Sequence, residues 1–131
     1  MALSIAFPAD QAVETARELA RSWERVALFL ADNKDIAARG RYSAVKPCVR
    51  VSVTHEADPV AAMAEYARRA AAAGAEIEAE IRDTFSGVHA RFGAAYVEFY
   101  AWTEQVVVSV PAVSPSLVGP LAALVAEGRA T

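Results

Sequence analysis

Cysteine is almost absent. The lone Cys48 can close no internal disulfide, and small exported domains usually depend on several such staples, so a reducing, cytoplasmic setting is expected. Met1–Phe7 lacks the basic start, long apolar stretch and small-residue cleavage site of a signal peptide. No uninterrupted apolar run approaches the roughly 20 residues of a membrane span. Histidine is equally scarce: His55 and His89 are 34 positions apart, and neither sits in a ligand-spaced motif such as Cys-x-x-Cys or His-Glu-x-x-His, so no metal is expected. Glycine-rich phosphate loops, a Gly-x-Ser-x-Gly elbow and kinase signatures are missing too, and no cofactor is expected.

An excess of positive charge is also lacking. The chain carries 13 basic and 16 acidic side chains for a formal net charge of -3. They are spread evenly, six basic and six acidic over residues 1–44, then seven and ten over 45–131. Binding to nucleic acid through phosphate neutralisation is therefore disfavoured. At 131 residues, with 55% apolar content, one globular core is the natural expectation, although 31 of those apolar residues are alanines.

Helical spacing dominates the first quarter. Ala12, Ala16, Leu19, Ala20, Trp23, Ala27 and Leu30 recur every three or four positions, opposite Glu14, Arg17, Glu18, Arg21 and Arg25, which predicts a long amphipathic helix with Trp23 as a core anchor. Its all-apolar end, Val26–Ala31, is expected to be buried more deeply than its start. A further turn is expected over Ile36–Arg39, stopped by Gly40. Val49, Val51 and Val53 then alternate with Arg50, Ser52 and Thr54, a half-buried strand whose apolar face His55 continues. Asp58 and Pro59 form a helix start, and a second helix is expected over 59–73, terminated by Gly74.

Residues 75–92 fit either a helix face or alternating strands. The strand reading is preferred, because Gly74, the Ser86-Gly87 pair and Gly93 would each weaken a continuous helix by about 1 kcal/mol but fall naturally at turns. On that reading Glu76, Glu78 and Glu80 form a solvated strand face. The inward phase switches near Gly93, from Val88, Ala90 and Phe92 to Val97, Phe99 and Ala101, as a turn or bulge requires. Val106–Val110 is expected as a short strand, and Leu117, Leu121, Leu124 and Val125 as a closing helix. The whole chain, 1–131, is thus read as a single α+β domain. Its sheet, mostly antiparallel and of about four to five short strands, is packed by a long N-terminal, a central and a C-terminal helix.

Two groups of side chains are candidates for chemistry. If residues 49–84 form a right-handed crossover between parallel strands, His55 and Asp83 reach the same sheet end, where the carboxylate could orient the imidazole as a general base. The plainer reading makes them the ends of a strand and a turn. Tyr96, Glu98, Tyr100 and Trp102 lie on the face opposite Val97 and Phe99, so that strand has two faces poorly suited to water. The second face calls for a cover from this chain, from a partner subunit or from a ligand. His89 is read as a solvated surface residue and Cys48 as a structural or incidental one.

The leading functional expectation is a small non-enzymatic interaction or structural module. It would self-associate, or bind a protein partner, through the aromatic strand face or the first helix. The alternative rests on a resemblance. Length and element order resemble the NTF2-like cone fold, in which leading helices cover a curved antiparallel sheet. That resemblance implies a pocket for a small apolar or aromatic molecule, or a cofactor-free isomerase or hydrolase with His55 or Asp83 as base and Tyr96, Tyr100 and Trp102 lining the pocket.

Overall fold

In the computed structural model, residues 3–43 and 45–109 are described. They form an α+β domain with one mixed, mostly antiparallel sheet. Helix α1 (Leu3–Asp32) and the short α2 (Lys34–Ala37) lead into a hairpin of β1 (Gly40–Tyr42) and β2 (Cys48–Ser52). Helix α3 (Pro59–Ala72) follows, then a meander of β3 (Glu76–Glu80), β4 (Phe85–Phe92) and β5 (Ala95–Trp102), and helix α4 (Thr103–Ser109). Residues 75–92 are strands, as the glycines indicate. The closing helix expected around Leu117–Val125 lies outside the described residues.

Local chemistry accounts for the boundaries. The Asp58 carboxylate accepts a hydrogen bond from the Ala61 amide at 3.1 Å, and Pro59 occupies the first turn of α3. Gly93 turns β4 into β5 at φ +75°, a backbone conformation that side-chain-bearing residues rarely adopt. A Cβ there would also sit 2.7 Å from Ser22 Oγ of α1, the hydroxyl that accepts the Ala94 amide at 2.9 Å. The turn is thereby tied to the helix above it.

The strand expected at Val106–Val110 is instead helical over its described part. The Trp102 amide donates to Gln105 Oε1 at 3.1 Å, as the third residue of a capping box does. Gln105 Nε2 in turn donates to the Thr54 carbonyl at 2.9 Å. Strand β5 can thus end at Trp102, and Val106 drops into the core as a helical residue. Valine's strand propensity loses to this local cap and to burial.

The sheet order is β1-β2-β5-β4-β3, with β2 parallel to β5 and every other pair antiparallel. One face is apolar: Val49, Val51, Ile77, Val88, Ala90, Phe92, Val97, Phe99 and Ala101 are buried. The helices cover this face. Phe29 of α1 meets Phe92 at 5.4 Å, and Tyr66 of α3 meets Phe99 at 5.6 Å between ring centroids. Ala67 and Ala70 bring α3 close to the strands.

Only the second half of α1 joins this core, through Ser22, Trp23, Val26, Phe29 and Leu30. Ala12, Ala16, Ala20 and Ala27, expected to share the apolar stripe, are exposed among the described residues. A helix of 30 residues is about 45 Å long, whereas an eight-residue strand spans about 27 Å, so the helix outruns the sheet. Trp23 rests at the margin against Tyr42, at 5.5 Å.

Candidate functional site on the open sheet face

Strand periodicity sends alternate side chains of the same strands to the opposite face, which no described helix covers. The register lines up one transverse row across all five strands: Arg41, Arg50, Glu98, His89 and Glu78. Glu98 lies at its centre, its side chain 7% exposed although it carries a carboxylate. A buried charge persists only when paired, and Glu98 has three partners. Arg50 Nε donates to Oε1 at 2.8 Å, while Arg82 Nη2 donates to Oε2 at 2.9 Å. His89 Nε2 lies 2.7 Å from Oε2; since a carboxylate only accepts, that nitrogen carries the proton.

Aromatic rings frame this cluster. The Arg50 guanidinium lies 4.2 Å from the Tyr100 ring centroid, and the His89 ring stacks on Tyr96 at 5.1 Å. Phe85 stacks on Trp102 at 4.4 Å and meets Tyr100 edge-on at 5.3 Å. Gly87 stands between Glu80 and Tyr100 in the register. A Cβ at that position would fall 2.0 Å from the Phe99 carbonyl oxygen, so the close approach of β4 to β5 requires glycine there.

The electrostatics determine what the cluster can do. Burial alone would raise the Glu98 carboxyl, but the hydrogen bonds from His89 and Arg50 outweigh it and hold the group down at about 2. A carboxylate so stabilised, with both oxygens engaged, is a poor proton acceptor near neutrality. Cys48 is 2% exposed, and burial together with the Glu98 charge pushes its thiol up, away from the nucleophilic thiolate. Among the described residues no group of three His, Cys, Asp or Glu side chains could hold a metal ion. The cluster is thus a paired charge centre, with both carboxylate oxygens engaged, framed by rings.

The structure separates the other candidate pair. Strands β2 and β3 run in the same direction, so His55 and Asp83 do follow strand ends on one side of the sheet. They are kept apart by β5 and β4, three strand spacings or roughly 14 Å. The expected meeting of imidazole and carboxylate fails because the crossover through α3 spans two intervening strands. His55 lies in an exposed turn beyond the end of β2, not on its valine face, and Asp83 is exposed in the β3–β4 connection. Neither has a hydrogen bond or ion pair among the described residues.

The four residues expected on the aromatic face, Tyr96, Glu98, Tyr100 and Trp102, are together on it, with Trp102 43% exposed. Two corrections concern histidine and arginine. His89, expected to be solvated, has a side chain 15% exposed and paired with Glu98. Arg50 and Arg82 were not singled out by the sequence. The alternation of Arg50 with three valines placed it on the polar face, but nothing local paired it with a residue 48 positions away.

No protein-family model, no curated protein and no solved structure matches the chain. Among the described residues no helix is long and apolar enough to cross a membrane.

Proposed function

We propose that this is a protein-docking module whose docking surface is the open sheet face, with Phe85, Tyr96, Tyr100 and Trp102 arranged around the Glu98 cluster. The observation that carries this reading is the pairing of exposed aromatic area with a rigid, fully paired charge centre. Trp102 is 43% exposed although it ends a row of rings, and aromatics with arginine are the side chains enriched at the centres of protein interfaces. Glu98, Arg50, Arg82 and His89 hold the surface in one shape, which lowers the ordering cost of docking. The expected self-association or partner binding through the aromatic strand is retained; the first helix is the less favoured surface, because its exposed part is mainly alanine and charge.

The small-ligand alternative draws on a cavity of about 230 Å³ lined by Cys48, Arg50, Arg82, Tyr96 and Glu98. That is below the roughly 300–1,000 Å³ of usual ligand sites. His55, the proposed base of that alternative, lines a different groove of about 390 Å³ with Arg39, Arg41 and Ser52, which is lined by neither Asp83 nor the rings of β5. Docking is therefore the stronger reading.

A photo-crosslinking amino acid at position 102, compared with one at the exposed Leu28 of α1, tests it. Protein adducts formed in cells from position 102 and not from 28 are the expected result. No adduct from 102, or the same adducts from both sites, would overturn the docking face.

A further inference from the structure

The transverse row is asymmetric in charge. On the β1–β2 side Arg41 and Arg50 stand directly opposite each other, an unfavourable juxtaposition that Glu98 relieves only for Arg50. Arg41 has no ion pair among the described residues, and neither does Lys46 in the β1–β2 connection. On the far side Glu76, Glu78 and Glu80 project from β3 onto the same face; Glu76 and Glu78 have no ion pair among the described residues. Arg82 and Arg91 lie inward, on Glu98 and near the Tyr96 ring at 5.4 Å, so the acidic margin is β3 itself. One face thus has a basic margin, an aromatic centre along β5 and an acidic margin.

We infer that the occupant of this face is a second copy of the same chain, packed face to face about a two-fold axis running along β5. The inference rests on the docking reading above and adds the identity and geometry of the partner. Strand β5 is the middle of the five, so a rotation about it exchanges β1 with β3 and β2 with β4. Arg41 of each protomer then lies over Glu78 of the partner subunit, twice by symmetry, and the rings of β5 meet their own copies on the axis. Glu98 also meets its own copy on this axis, but its charge is already paired with Arg50, Arg82 and His89. The other in-plane two-fold, across the strands, sets Arg41, which has no ion pair among the described residues, over its own copy and is rejected by like charge. Stacked sheets lie about 10 Å apart, within the combined reach of an arginine and a glutamate. Strands of three, five, eight, eight and five residues, at about 3.4 Å per residue and about 4.8 Å apart, give roughly 470 Å² in projection, more than half of the roughly 800 Å² per partner of a standard interface.

Arg41 and Glu78 are exposed and without ion pairs among the described residues, so reversing them does not endanger the fold. Sedimentation equilibrium at low salt on the wild type, Arg41→Glu, Glu78→Arg and the double variant tests the geometry. The wild type is expected to form dimers, each single reversal to raise the dissociation constant about tenfold or more, and the double reversal to recover most of the loss. Added salt should shrink the differences. A wild type that stays monomeric at every concentration overturns the second copy. So does a dimer indifferent to both reversals, or one that the double variant fails to restore. If position 102 meanwhile crosslinks to a different protein, the docking face stands and only its occupant is wrong.

Discussion

The two faces of the sheet are made by the same strands, and they are held by different physics. On the helix-covered face Val49, Val51, Val88, Val97 and Phe99 are buried among apolar neighbours, where stability comes from area removed from water and from close packing. On the open face, one residue along each strand, Arg50, Glu98 and His89 are held by charge-assisted hydrogen bonds and ring contacts. The first arrangement tolerates exchange among residues of similar volume; the second depends on named partners in fixed register. Such unequal demands on alternate positions mean that the apolar face builds the fold, while the open face is the surface on which the docking proposal rests.

The comparison breaks most severely at Phe99, fully buried against Tyr66. Phe99→Ala is expected to cost about 3–5 kcal/mol in denaturant unfolding, through lost burial and the cavity left behind. A loss below about 1 kcal/mol would mean that the helix layer is not packed on this face.

Glu98→Gln keeps the shape of the open face and removes its charge. It leaves the half-exposed Arg50 without its counter-ion and Arg82 with only Glu80, at 3.6 Å, for an expected loss of about 2 kcal/mol, smaller than the loss at Phe99. The pH dependence is the sharper readout. Because the folded group lies at about 2 against an ordinary 4.5, its contribution is complete above about pH 4.5 and is lost as pH falls towards 2. An acid titration of stability should therefore fall more steeply in that window for the wild type than for Glu98→Gln. Parallel curves would remove the cluster from the account of the open face.

Least of all should change on replacing the separated pair. His55→Ala and Asp83→Asn are each expected to shift stability by less than about 0.5 kcal/mol, as exposed side chains without partners do. They should leave self-association unchanged in the same sedimentation experiment. A large effect of either would move the functional surface from the face of the sheet to its end.

Much of the fold was legible in local pattern. Alternation named the valines of β2 and the inward residues of β5, Asp58 and Pro59 marked the start of α3, and glycine at 74 and 93 favoured strands over a helix between them. Four open-face residues, Tyr96, Glu98, Tyr100 and Trp102, followed from the same alternation. What escaped depended on partners distant in sequence. The three-residue β1 has too short a pattern to register, and the parallel pairing of β2 with β5 joins segments separated by a helix and two strands. The helical turn at Thr103 rests on contacts of Gln105 that outvote the valines after it.

The sequence by itself determined which face of each strand is apolar, because a side-chain period of two is a property of any extended backbone. Only the tertiary structure decided that Glu98 has Arg50, Arg82 and His89 as partners, drawn from 48, 16 and 9 positions away. It alone decided that His55 and Asp83 have no such meeting. The physical reason is sheet order: periodicity says which way a side chain points, while the neighbour it finds there depends on which strand lies alongside.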